Sequence, residues 1–306
     1  MAHEMNHSKT SMLTTEDGNE DNSRQPQIYA KNSIDRFGDD LCALLLSYFP
    51  LEDHIRCESL SKQFRRTVFV SLRDITIDDK LMRQLPKSNI RQIVATIAIK
   101  CGNIETIDCR GIGDRFEEYI PEVLTIYRDN CCHLREIYCN LWRNSSQTMR
   151  SIGPLVTRIG RIDNFADSEA ITDCHQLSRL RIDSFRKAFG YNGTLLAKNL
   201  HSFELFEYLD TDSDDGRWSA FVAHNLCLRS ALFMWPRLQY LSIKTKTITR
   251  EYLEHISRLP ALKAFCLQCR HSNGLTDNDF KDLLSRSAKL KAIEYIVDNN
   301  RKIFIV

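Results

Sequence analysis

The chain has 306 residues, of which 42% are hydrophobic and 27% charged, and its formal net charge is +2. This length exceeds one minimal domain, and the ordinary composition indicates a globular chain rather than a disordered or fibrous one. The small net charge and the lack of a long Lys/Arg stripe argue against a nucleic-acid partner. No apolar run of about 18 residues is present, so the sequence predicts no membrane span.

Residues 1–30 are polar, with an acidic stretch at 14–23. So few apolar side chains cannot offset the entropy of ordering, and a disordered tail is predicted. The tail also lacks the apolar core of a signal peptide, so we expect a cytoplasmic or nuclear protein. The eleven cysteines are scattered through apolar segments. In a reducing compartment they are expected to be small buried hydrophobes rather than a disulfide framework.

Between residues 31 and 70 the apolar residues come in helical clusters, first around Leu41, Leu45 and Phe49 and then around Leu60. Pro50 separates the clusters, because a proline ends a helix at or before the preceding residue, and Asp53 is the expected start of the next helix. Two or three short helices are therefore predicted. So short a segment cannot bury all of its apolar side chains alone. The surplus must pack against the rest of the chain or against another protein.

From residue 71 to residue 306 one pattern recurs: an apolar residue, two others, an apolar residue, one other, and an apolar residue. The copies start at Leu72, Ile104, Leu134, Leu177, Leu200, Leu238, Leu262 and Leu290. Ile159-Gly160-Arg161-Ile162 is a damaged copy, and residues 302–306 are predicted as a closing strand. The spacing L-x-x-L-x-L is the leucine-rich-repeat signature.

Amphipathic runs lie between the copies, at 249–256, at 276–284 and along Phe116, Ile120, Val123, Leu124 and Tyr127. They predict helices that alternate with the strands. One strand–helix unit cannot cover its own apolar face, but stacked units can. The predicted fold is therefore α/β: a short N-terminal helical module followed by an irregular, curved solenoid with a parallel sheet inside and helices outside. A plain α/β domain with coincidental leucine spacing is the alternative.

Residues 33–66 resemble an F-box. The match includes Phe37-Gly38 at the opening, residues 45–53 (Leu-Leu-Ser-Tyr-Phe-Pro-Leu-Glu-Asp) in the middle and residues 60–65 (Leu-Ser-Lys-Gln-Phe-Arg) at the end. Gly38, Ser61 and Phe64 depart from the usual proline, cysteine and tryptophan. F-box followed by leucine-rich repeats is a recurrent family layout.

This resemblance implies a non-catalytic substrate receptor of an SCF-type ubiquitin ligase. The F-box would bind a Skp-type adaptor, and through it a cullin-RING scaffold, while the repeats hold an unidentified protein substrate. The implied adaptor-binding residues are Phe37, Leu41, Leu45, Phe49, Pro50, Leu51 and Leu60. The implied domains are a tail at 1–30, an F-box at 31–70 and a repeat domain at 71–306.

Two other functions stay open. One is a repeat-based binding scaffold whose N-terminal helices merely cap the solenoid. The other is a thiol enzyme of the ubiquitin pathway that uses one of the cysteines.

Other motifs in the sequence give weaker signals. Cys266 and Cys269 form a lone C-x-x-C, which is weak evidence for zinc or redox chemistry. The acidic stretch at 210–216 resembles the start of a calcium loop, but Asp215 and Phe221 stand where an EF-hand needs glycine and glutamate. No metal or cofactor is therefore expected. Packing between repeats is the favoured role for Trp142, Trp218 and Trp235.

Overall fold

The computed structural model describes residues 38–143, 145–163, 166–189, 195–206, 235–245, 249–269, 274–297 and 300–305. The predicted tail at 1–30, Phe37, the acidic stretch at 210–216 and Trp218 lie outside these ranges.

One sheet of ten strands runs through the described residues in sequence order. Its strands are β1 (Asp74–Thr76), β2 (Thr106–Asp108), β3 (Glu136–Leu141), β4 (Val156–Ile162), β5 (Arg179–Ile182), β6 (Ser202–Phe206), β7 (Tyr240–Thr245), β8 (Ala264–Cys269), β9 (Ala292–Val297) and β10 (Asn300–Ile305). Neighbours from β1 to β9 are parallel, whereas β10 pairs antiparallel with β9. Parallel strands in sequence order are the arrangement of stacked repeats, so the predicted α/β leucine-rich-repeat solenoid is confirmed.

The apolar positions of the repeats meet in register across the sheet. Two rows of cross-strand partners are Ile75, Ile107 and Ile137, and then Leu180, Phe203, Leu241, Phe265 and Ile293. Each of these side chains is at most 3% exposed. Because successive side chains of a strand point to opposite faces, one face of the sheet belongs to the core. We call the other the open face.

The damaged repeat forms β4 and pairs with β3 through two register shifts. Ile159 and Ile162 are both buried although three positions separate them, a spacing that regular alternation does not allow. A bulge between them accounts for it. A Cβ at Gly160 would lie 2.9 Å from the Cδ of Arg110. The glycine therefore leaves room for the Arg110 side chain to pack against β4 at this point.

Nine α-helices occur in the described ranges. They are α1 (Asp39–Leu46), α2 (Leu51–Cys57), α3 (Lys62–Thr67), α4 (Asp79–Gln84), α5 (Ile90–Lys100), α6 (Ile120–Asn130), α7 (Ser145–Ile152), α8 (Arg250–Ser257) and α9 (Asp277–Arg286). The amphipathic runs predicted as helices form α6, α8 and α9. After β4 and β5 the chain instead forms 3-10 turns, at Ser168–Asp173 and Phe185–Ala188. The repeats are short there, and a tighter helix covers the core with fewer residues.

Helices α1 to α3 precede the sheet and share its core. Phe64, Val68 and Phe69 are at most 7% exposed and belong to the same buried cluster as the first repeats. Lys100, at the end of α5, binds Glu58 at 2.7 Å and lies 5.0 Å from the centre of the Phe69 ring. These contacts cover the β1 end of the solenoid. The division into domains at residue 70 stays a prediction.

The start of α2 differs slightly from the prediction. It begins at Leu51, directly after Pro50, and not at Asp53. Pro50 takes the N-cap position with an extended backbone (φ −68°, ψ 161°). The fixed φ of proline suits this position, and the first N–H groups of a helix need no intrahelical acceptor.

Candidate docking surface on the N-terminal helices

Helix α1 carries apolar side chains on two opposite sides. Cys42 and Leu46 are 0% exposed and face the core. Leu41, Leu44 and Leu45 expose 41%, 54% and 42% of their surface. Their spacing of three and four residues places them on one stripe of the helix. Tyr48 and Phe49, which are 78% and 44% exposed, follow directly after the helix. We call Leu41, Leu44, Leu45, Tyr48 and Phe49 the α1 apolar face.

Polar contacts hold α1 in its orientation. The Gln63 side chain donates a hydrogen bond to the Asp39 carboxylate over 3.0 Å, and Arg66 approaches the same carboxylate at 3.5 Å. At the other end the buried His54 ring donates through Nε2 to the backbone carbonyl of Leu46 over 2.6 Å. Because both ends are attached to α2 and α3, the leucine stripe is held facing away from the core.

The predicted adaptor-binding residues differ in their exposure. Leu41, Leu45 and Phe49 lie on the α1 apolar face, and Pro50 and Leu60 are also exposed, Leu60 by 65%. Leu51 is only 7% exposed, so its assignment to the surface does not agree with its position. It opens α2 and belongs to the same core cluster as Leu46. Phe37 lies outside the described residues.

The predicted set of adaptor-binding residues omits two members of this face, Leu44 and Tyr48. Leu44 follows Leu41 by three residues and Tyr48 follows Leu44 by four, so helical spacing alone gives a signal for both.

A patch of this kind is unusual on the surface of a monomeric protein. Scattered exposed leucines need no explanation, but contiguous exposed apolar side chains mark sites of interaction. Burying each large apolar side chain contributes roughly 1.5–3 kcal/mol. A partner that covered the three leucines and Phe49 would therefore gain enough free energy to anchor an interface.

The cysteine pair of the C-x-x-C motif is separated by the sheet. In β8 the side chain of Cys269 is buried on the core side, where its Sγ lies 3.7 Å from the Tyr295 hydroxyl. The intermediate exposure of Cys266 and its place in the alternation put it on the open face. The two sulfurs therefore do not face a common site.

Buried thiols elsewhere in the chain are poor nucleophiles. Burial raises the pKa of Cys101 and of Cys174 to about 12. A catalytic thiol instead needs a lowered pKa, because the thiolate is the reactive form. The geometry of these sites therefore gives no support to thiol catalysis.

Trp235 has the packing role that the sequence favours. It is 0% exposed, its ring centre lies 4.6 Å from that of Phe203, and its Nε1 donates to the carbonyl of Ala197 over 2.6 Å. Trp142 is likewise buried, at 4% exposure. Both rings thus contribute to the core between repeats.

The described ranges contain neither a metal-binding cluster nor a membrane-spanning helix. No group of three or more His, Cys, Asp or Glu side chains is arranged to hold a metal ion there. The helices of those same ranges are too short or too polar to cross a bilayer.

The similarity of this chain to known proteins is structural and does not extend to sequence. No protein-family model and no curated protein matches this sequence. Among solved structures, the chain is similar to the leucine-rich repeat-containing protein LegL7 from Legionella pneumophila. The identity is 9% and the TM-score 0.43, over 82% of this chain and 88% of that one.

The sequence pattern and the sheet decide the architecture. The chain has the fold of a leucine-rich-repeat solenoid. The conclusion rests on repeats whose apolar positions pair in register from β1 to β9.

Proposed function

We propose that this leucine-rich repeat protein is a non-catalytic protein-interaction scaffold that docks on another subunit through its α1 apolar face. The observation that carries the proposal is the exposure of Leu41, Leu44 and Leu45, each above 40%, on a helix held in place by hydrogen bonds. Repeats supply a second, extended surface, because solenoids present a long sheet to partners. The protein would thus join two partners.

The finer proposal is a substrate receptor of an SCF-type ubiquitin ligase in the cytoplasm or nucleus. The resemblance of residues 33–66 to an F-box supports it, and so do three short helices followed at once by repeats. The Skp-type adaptor would cover the α1 apolar face. Holding a substrate beside the ligase makes ubiquitin transfer effectively intramolecular, so the gain lies in local concentration and orientation.

A second role for the N-terminal helices has its own support. Phe64, Val68 and Phe69 seal the β1 end of the solenoid core, as a capping element does. This role uses the inner side of the helices, while the proposed docking uses the outer side. Capping therefore does not compete with adaptor binding, and the two are separable by mutations on the outer side alone.

The test is co-purification of a Skp-type adaptor with the full chain. The double variant Leu45→Asp, Phe49→Asp places two charges on the α1 apolar face, and we expect adaptor affinity to fall at least tenfold, since a truncated interface anchor commonly costs more than 1 kcal/mol. The matched control is Val70→Asp, Ile99→Asp, two apolar residues that are 58% and 68% exposed and lie outside α1, one after α3 and one in α5. It should retain the adaptor.

Thermal unfolding separates docking from folding. Leu45 and Phe49 are both exposed by more than 40%, so their variants should melt near the parent temperature. Retention of the adaptor by a folded Leu45→Asp, Phe49→Asp chain would reject the α1 apolar face as its binding site. If the folded parent chain binds no Skp-type adaptor, the ligase role is rejected and the scaffold role remains.

A further inference from the structure

Two arginines stand opposite each other on the open face of the sheet. Arg158 of β4 and Arg179 of β5 are direct cross-strand partners. Like charges in this position repel each other and destabilise a sheet. Within the described ranges neither guanidinium has an ion-pair partner, although most exposed arginines of those ranges do. We call Arg158 and Arg179 the arginine pair.

Two arginines of this region, one of them a member of the pair, stack on aromatic rings. The Arg158 guanidinium lies 4.1 Å from the centre of the Tyr138 ring, and that of Arg181 lies 4.5 Å from the Phe206 ring. Such stacking is worth about 0.5–1 kcal/mol at exposed sites. Of the arginine pair, Arg158 is thus held in place before any partner arrives, which lowers the entropy lost on binding.

No carboxylate of the described ranges lies within ion-pair distance of either arginine, although the charge of Arg158 acts on Asp108. Asp108 makes two hydrogen bonds with the Arg110 side chain, at 3.0 and 2.7 Å. Burial acts to raise the pKa of Asp108, but these bonds and the charges of Arg110 and Arg158 lower it overall. Glu204 lies 3.8 Å from Arg181, and both side chains are about half exposed. Both acids therefore already have arginine partners of their own.

The arginine pair belongs to a row that becomes apolar towards β10. Successive cross-strand partners along it are Tyr138, Arg158, Arg179, Ser202, Tyr240, Ala264, Ala292 and Ile305. Ile305 and Ile303 of β10 are 73% and 53% exposed. We call Ala264, Ala292, Ile303 and Ile305 the apolar end. Six strand spacings of about 4.8 Å separate β4 from β10, roughly 29 Å in all, which matches about nine extended residues.

We propose that the open face binds an acidic segment of a protein partner, with its carboxylates on the arginine pair and apolar side chains on the apolar end. This deepens the scaffold function proposed above and rests on it. Carboxylates would replace the repulsion between Arg158 and Arg179 with charge-assisted hydrogen bonds, for which the guanidinium fork is suited. Apolar contacts at the other end give the segment a direction across the strands.

A peptide fits this face better than a nucleic acid does. Asp108, Glu136 and Glu204 lie on the same face as the arginines, in the alternation of β2, β3 and β6. A sugar-phosphate backbone carries a charge at each nucleotide and would lie over these carboxylates. The two arginines without an ion-pair partner lie on neighbouring strands, which suits a few carboxylates followed by neutral residues. The net charge of the whole chain, +2, provides no further attraction for a polyanion.

In the test, peptides that bind are selected from a random library displayed on phage. Three forms of the full chain serve as targets. The first is the parent. The second is Arg158→Gln, Arg179→Gln. The third, the control, is Arg150→Gln, Arg258→Gln, which removes the same charge from exposed positions on the helical side, in α7 and just after α8. We expect the parent and the control to enrich peptides with acidic residues at one end and apolar residues at the other. A synthetic peptide from that selection should bind the arginine-pair variant more than tenfold more weakly and should lose affinity as salt is raised.

The outcomes separate this proposal from the ligase role. Selection of peptides without an acidic excess, or equal affinity of parent and arginine-pair variant for the selected peptide, overturns the acidic-segment proposal. Tighter binding of a single-stranded RNA of matched length would reject the peptide in favour of a nucleic acid. Adaptor binding should be unchanged in the arginine-pair variant, while Leu45→Asp, Phe49→Asp should keep the selected peptide. The failure of one proposal therefore leaves the other testable.

Discussion

The cysteines show how burial sets the chemistry of single residues in this chain. All ten that the structure describes are free; eight of them are buried, Cys266 is intermediate and Cys132 is exposed. Burial raises the pKa of Cys131 to about 11, and that of Cys101 and Cys174 to about 12. The cause is that a thiolate loses its hydration when it leaves water. At neutral pH these thiols stay protonated and act as small apolar side chains.

We therefore predict unequal alkylation of the native protein. A short pulse of maleimide at neutral pH, read by peptide mass spectrometry, should modify Cys132 first, because it alone among the described cysteines is exposed. Cys101 and Cys174 should react only after addition of denaturant. Native labelling of Cys101 as fast as that of Cys132 would contradict the burial seen here. It would also revive the hypothesis of a thiol enzyme.

At the scale of elements, α8 and α9 are joined through one carboxylate. Asp279, in the first turn of α9, accepts a hydrogen bond from the backbone N–H of Thr276 over 2.7 Å. The Nε of Arg250, the first residue of α8, lies 2.7 Å from its other oxygen. The pKa of Asp279 is lowered, first by the Thr276 backbone bond and then by the Thr276 hydroxyl and Arg250. The ionised form thus stabilises both helix starts.

This geometry predicts that Asp279→Asn lowers the free energy of unfolding by an amount that depends on pH. A carboxylate with a lowered pKa contributes stability that is complete above its unfolded value of 3.8 and is lost as pH falls through the folded value. At neutral pH the variant should lose about 1 kcal/mol of unfolding free energy, the usual worth of a helix cap. Urea titrations at neutral pH and at about pH 3 measure the difference in unfolding free energy between parent and variant, which should shrink in acid.

The control for this prediction is Asp282→Asn, further along α9. Its side chain is 68% exposed and lies 3.5 Å from Arg286. Such an exposed pair contributes little to stability. An equal pH dependence in both variants would assign the effect to the general charge of the helix and not to the cap.

Strands of the repeats were predictable because their signal is local. In the copy that starts at Leu238, for example, the alternation of Leu241 and Ile243 with polar residues indicates one buried face, and β7 forms there. The helices with clear amphipathic patterns, such as α9, were predictable for the same reason. The 3-10 turn at Ser168–Asp173 was not, because the space left between two stacked repeats, and not a local pattern, decides its form.

Properties that depend on contacts between neighbouring elements could not be predicted from the sequence. The shifts between β3 and β4 set the partner of Arg158, and only the resulting register shows that Arg179 lies opposite. Similarly, the resemblance to an F-box grouped Leu45 and Leu51 as candidates for one surface. Which of them faces the core depends on how α1 and α2 rotate against α3. The structure turns Leu45 outward and Leu51 inward.

At the scale of the whole molecule, the stacking order predicts that a core substitution destabilises only the neighbouring repeats. Strand pairs join only sequence neighbours from β1 to β10. In such a one-dimensional array each repeat is stabilised by the repeats next to it, so distant parts unfold with partial independence. Phe280 lies near the β10 end, is 0% exposed and packs against Tyr295 and Phe304 at 4.4 and 5.3 Å between ring centres. Phe116, 2% exposed, lies between β2 and β3.

Truncation of either ring to alanine should cost about 3–5 kcal/mol through lost burial and the cavity left behind. Hydrogen exchange should then show where the loss falls. Phe280→Ala should reduce amide protection in α9, β9 and β10 while β2 and β3 keep theirs, and Phe116→Ala should give the reverse pattern. Equal loss of protection at both ends in both variants would mean that the chain unfolds as one cooperative unit, and not as an array of neighbour-stabilised repeats.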